Sequence, residues 1–94
     1  RGPMELTVIG ARDDARAAAL VAEGRRRLDP EDALLWIEPG AEGDALRSLV
    51  PSANDKKAVG ERPTAYLCVG QRCLEPVTDP EALSRQFEAE RKGP

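Results

Sequence analysis

The sequence predicts an α/β domain built on a mixed sheet, and three observations carry that reading. The first half alternates a short apolar run, a stretch with helical spacing and a second apolar run. This is the pattern of a strand–helix–strand unit, whose right-handed crossover makes the two strands parallel. Pro63 to Val77 then holds apolar positions on either side of Gly70-Gln71, the layout of an antiparallel hairpin. Asp79-Pro80-Glu81 opens a closing helix with a cap residue, a proline at the first helical position and an acid in the first turn.

In order along the chain, Arg1-Gly2-Pro3 reads as a remnant ahead of a native start at Met4, or else the chain is a domain cut from a longer protein. Residues 4–90 read as one α/β domain and 91–94 as a flexible tail. Glu5 to Gly10 is the first strand: Leu6, Val8 and Ile9 are apolar and Gly10 stops the run. Asp13 or Asp14 caps the helix that follows, where both acids suit its positive end. Ala17, Leu20, Val21, Gly24 and Leu28 form its apolar stripe. Gly24 is a poor helix former, and close approach of helix to sheet explains its presence. Arg25, Arg26 and Arg27 fall in the last turn and read as a solvated cationic face, in preference to an anion site.

Asp29-Pro30-Glu31-Asp32 is a turn, although the same Asp-Pro-Glu could open a short helix. Ala33 to Ile37 is a continuous apolar run of strand length, as expected of a strand covered on both faces, with Trp36 either buried or available to stack on a ligand. Glu38-Pro39-Gly40 ends it. Asp44 to Leu49 reads as a short second helix whose apolar side is Leu46, Leu49 and Val50, and residues 51–62 read as a loop. In the closing helix, Leu83 and Phe87 are four apart and dock on the sheet.

Ninety-four residues make one small domain. The 40% hydrophobic but only 3% aromatic residues suggest a core of Leu, Val, Ile and Ala. The net charge of −3 argues against non-specific nucleic-acid binding. No apolar run approaches the ~20 residues of a membrane span, and the start lacks the layout of a signal peptide. Two cysteines are too few for a secreted disulfide scaffold. A cytoplasmic location away from membranes is the expectation.

The hairpin fixes the cysteine register. A Gly70-Gln71 turn pairs Val69 with Arg72 and Cys68 with Cys73, and a four-residue loop leaves the same cysteines opposed. The second rung from such a turn is the non-hydrogen-bonded kind, with Cα atoms about 4.5 Å apart. Four readings stay open: two reduced structural cysteines, a structural or regulatory disulfide, an exchanging redox dithiol, and half of a zinc site shared across a dimer. Neither cysteine stands at a helix N-terminus, where its pKa would fall. Two thiolates supply only half of a tetrahedral zinc site, and the chain has no histidine. Cys68 and Cys73 are thus the weak redox and metal candidates. No other catalytic, cofactor-binding or metal-binding residue is indicated, and no cofactor is expected. Asp13-Asp14 reads as capping and not as an acid–base pair, no glycine-rich phosphate loop occurs, and a Ser-His-Asp arrangement is impossible without histidine.

The order strand–helix–strand–helix–strand–strand–helix is similar to the minimal thioredoxin-like fold, which implies a four-stranded sheet in the order 2-1-3-4. Pro63-Thr64 stands where that fold carries a proline before its third core strand. The redox motif of that fold, two cysteines at the start of the first helix, is absent: the place reads Gly10-Ala11-Arg12-Asp13-Asp14. A small flavodoxin-like parallel sheet is the alternative. A closer resemblance rests on Pro63, Ala65-Tyr66, Cys68, Cys73, Pro76-Val77-Thr78-Asp79-Pro80 and Leu83. This pattern resembles the extreme C-terminus of the thioredoxin-domain proteins that include the spermatogenesis-associated member and its bacterial homologues. Those proteins join a thioredoxin-like domain, an α/α toroid and a small α/β end. The resemblance implies a non-catalytic accessory or interaction domain whose partner is the toroid of the same protein or another protein. It carries over no catalytic residue. The competing expectation is a small thiol-disulfide redox protein using Cys68 and Cys73.

Overall fold

A computed structural model describes residues 3–38 and 62–92. In chain order the elements are β1 (Met4–Ile9), α1 (Ala15–Arg27), β2 (Ala33–Ile37), β3 (Thr64–Val69), β4 (Arg72–Cys73) and α2 (Pro80–Lys92). The strands form one four-stranded mixed sheet in the order β2-β1-β3-β4. β1 and β2 are parallel, and β3 runs antiparallel to both β1 and β4. That direction of β3 rejects the flavodoxin-like alternative, which needs this strand parallel to β1. The helix expected over 44–49 and the loop over 51–61 lie outside the described residues.

Alternation in β1 explains the layering. Met4, Leu6 and Val8 point to one face and join a core with Ala17, Leu20 and Val21 of α1, Ala65 and Leu67 of β3, and Leu83 and Phe87 of α2. Both helices therefore pack on the same side. Leu83 and Phe87 are fully buried, and each side chain of this kind contributes about 1.5–3 kcal/mol by leaving water. Ile9 and Ile37, with Tyr66 against them, form a smaller cluster on the opposite face.

The caps are local. Asp14 accepts from the Arg16 N–H at 2.8 Å, so the second of the two expected acids is the N-cap of α1. Asp79 Oδ1 accepts from the Ala82 N–H at 2.8 Å, and α2 begins at Pro80. Gly24 is a packing glycine: a Cβ there would lie 2.2 Å from Leu6 Cδ2 and 3.0 Å from Leu34 Cδ1. Only a residue without a side chain lets α1 come this close to the sheet.

Two expectations need correction. β2 is less covered than a central strand: it is an outer strand of the sheet, with Ala33 exposed, Leu34, Leu35 and Trp36 half-buried and Ile37 buried. A continuous apolar run reads alike in a central strand and in a plain edge strand, because both lack alternation. The arginines of α1 are not one solvated face either. Arg25 and Arg26 are exposed, but Arg27 bridges the helices, donating to Glu23 at 2.9 Å, Glu88 at 2.7 Å and Ser84 Oγ at 2.7 Å. Glu23, only 3% exposed, also accepts from Arg26. A carboxylate so deeply buried is stable only with partners of this kind. The Pro3 carbonyl accepts from the Gly70 N–H at 3.0 Å, and α2 reaches Lys92.

Candidate functional site

The hairpin brings the two sequence candidates together. Gly70 has φ +63°, the left-handed value that the first position of a primed hairpin turn requires and glycine supplies without strain. Val69 then faces Arg72 and Cys68 faces Cys73. The Leu74 N–H donates to the Leu67 carbonyl at 2.8 Å, which makes the next rung hydrogen-bonded and the cysteine rung the non-hydrogen-bonded kind. The two sulfurs are joined in a disulfide, with the Cα atoms 3.9 Å apart. In this state both thiols are consumed, so the pair offers no thiolate to a metal. Cys68 is 7% exposed, whereas Cys73 lies on the open side of the hairpin. Cys73 is therefore the more accessible residue of the pair.

Beyond the disulfide, the chain follows β3 with one irregularity. Leu74 opposes Leu67 and Val77 opposes Ala65, so Glu75 and Pro76 together face the single residue Tyr66. This is a β-bulge, and its proline needs no ladder partner. Gln86 Nε2 of α2 donates to the Glu75 carbonyl at 2.7 Å, and Arg72 pairs with Glu90 at 3.0 Å.

A second constellation stands at the start of α1, where the parallel strands end. Trp36 is neither buried nor open to a ligand: its Nε1 donates to the Gly10 carbonyl at 3.0 Å, and the Arg12 guanidinium lies 4.9 Å from its ring centroid. Arg12 Nη2 donates to the Trp36 carbonyl at 3.2 Å, while the Arg12 N–H donates to Glu38 Oε2 at 3.0 Å. Sequence reasoning missed Arg12 and Glu38. The available signal was positional, since each follows the C-terminal end of a strand and parallel pairing sets those ends side by side. The neighbouring Asp14 carboxyl is held below its ordinary value of 3.8, chiefly by the Arg16 side-chain hydrogen bond and then by the Arg16 N–H. A depressed carboxyl stabilises the fold above its unfolded pKa and stops doing so as pH falls below it, so this contribution fades under about pH 3.8.

Between the helices lies a shallow open groove of about 220 Å³, lined by Glu23, Arg26, Pro80, Glu81 and Ser84. Its buried acid is already spent on Arg26 and Arg27, which makes the groove a by-product of helix pairing. Among the described residues no group of three or more histidine, cysteine or acidic side chains is placed to hold a metal ion, and no helix is long and apolar enough to cross a membrane. In comparisons with known proteins, no family model matches the chain, and no curated protein or solved structure matches it.

Proposed function

We propose that the chain is a non-catalytic accessory or interaction domain of thioredoxin-like topology, equivalent to the small terminal α/β domain of the thioredoxin-domain proteins its hairpin sequence resembles. One observation carries the reading. At the start of α1, where a thioredoxin-like protein keeps its reactive cysteines, this chain places Arg12, and Arg12 is engaged by Trp36 and Glu38. No nucleophile stands there. In this reading the partner is a toroid domain of the same protein or another protein, and the setting is cytoplasmic.

A second reading is thiol-disulfide exchange through Cys68 and Cys73, and the exposure of Cys73 favours it. A redox titration followed by an insulin-reduction assay separates the two. The accessory reading expects a pair whose potential lies well below the cytosolic poise and no turnover of insulin. A potential near that poise, together with turnover, replaces it with the exchange reading.

A further inference from the structure

The outer side of β2 is a strand edge that no described strand covers. Among the described residues β2 pairs with β1 alone, in a continuous register from Ala33 to Ile37. The Gly10 N–H donates to the Ile37 carbonyl at 3.0 Å, so Ile37 turns its backbone groups toward β1. Backbone direction alternates along a strand. Ala33 and Leu35 therefore also face β1, and Leu34 and Trp36 face outward. Arg12 takes one position on the Trp36 carbonyl, which has a second lone pair. Natural edge strands are blunted by proline, bulges or charged side chains. Ala33-Leu34-Leu35-Trp36-Ile37 has none of these.

The surroundings select the occupant. Glu31 is exposed at the start of the strand with no lysine or arginine between Leu28 and Glu38 in sequence, whereas at its far end exposed Glu38 already accepts from the Arg12 N–H and the Arg12 guanidinium lies beside it on Trp36. Resting on the interaction-domain reading, we infer that the β2 edge receives an extended segment of a partner protein, apolar at its centre and basic at the end that meets Glu31. Main-chain bonds to Leu34 and Trp36 supply affinity, as in other strand additions, and the acidic Glu31 end sets specificity. A second copy of this chain fits worse. Antiparallel pairing about Leu35 would set Leu34 against Trp36, but it would also bring Glu31 and Asp32 of one copy beside Glu38 of the other. Like charges facing one another across strands are destabilising.

The test uses the whole chain and two synthetic probes: a short peptide of alternating valine and threonine with lysines at both ends, and the same core ended by glutamates. Trp36, the only tryptophan, reports locally by fluorescence, and amide chemical shifts map the contact. The lysine-ended peptide should bind with the largest shifts at Leu34 and Trp36, about tenfold more tightly than the glutamate-ended one, and more weakly as salt rises. Glu31→Lys should weaken binding several-fold while leaving the melt unchanged. Leu34→Pro removes an outward N–H, which an edge strand tolerates, and should abolish binding. Equal affinity for both peptides, shifts centred on residues 72–77, no binding at millimolar peptide, or a concentration-dependent dimer through β2 would each overturn the inference. The insulin assay does not involve β2. Absent binding with no turnover therefore removes the edge inference alone, and binding with turnover removes the non-catalytic reading alone.

Discussion

β2 and β4 close the two sides of one sheet, and they are finished by different means. The β4 side is pinned by a disulfide to β3, kinked by a bulge at Glu75-Pro76, and tied to α2 through Gln86 and the Arg72–Glu90 pair. The β2 side has an unbroken apolar run in continuous register, touched by one charged side chain, Arg12 on the Trp36 carbonyl, and its main support lies beneath: α1, brought close at Gly24. One edge is thus held by its own covalent and polar fittings. The other depends mainly on packing and, among the described residues, has no strand paired to the outward backbone groups of Leu34 and Trp36. The lesson is that an edge can be made unreceptive by a few local devices, so a strand lacking all of them stands out as the receptive one.

Perturbing each side tests that contrast. The largest effect is expected beneath β2. Gly24→Val places side-chain atoms where Leu6 and Leu34 already sit, and overpacking of this kind costs about 3 kcal/mol. Thermal unfolding measures it, and a loss under about 1 kcal/mol would mean that Leu6 swings aside and the contact is looser than the geometry implies. On the β4 side, reducing the Cys68–Cys73 bond should cost about 2 kcal/mol, the loop-closure value for so short a loop, and leave the domain folded. Circular dichroism melts with and without reductant read this out. Unfolding on reduction would show that the bulge, Gln86 and Arg72 hold the edge far less than proposed. The smallest effect belongs to Arg72→Ala. The Arg72 side chain is 62% exposed, so its pair with Glu90 should be worth about 0.5 kcal/mol and fade with salt. A larger, salt-insensitive loss would place Arg72 among the main supports of β4.

What the sequence by itself determined is what neighbouring residues decide among themselves. Gly70 at the first turn position and a two-residue loop fix the pairing of Cys68 with Cys73, because strand register follows from turn geometry. Asp14 and Asp79 cap their helices through N–H groups two and three residues away. The stripe Ala17, Leu20, Val21, Gly24 shows in its spacing, and the misfit of Gly24 as a helix former foretold the close approach. The sheet order came from a resemblance of element order and not from periodicity. Tertiary structure alone decided the rest. β2 reads as a covered strand until its place at the sheet edge is known, since an apolar run does not say how many neighbours it has. Arg27 looks like one of three solvated cations until α2 brings Glu88, 61 residues away, into reach. Arg12, Trp36 and Glu38 meet only because two parallel strands end side by side, 24 and 26 residues apart in sequence. Contacts of that range depend on how the layers stack, and a side chain's own neighbours in sequence carry no trace of them.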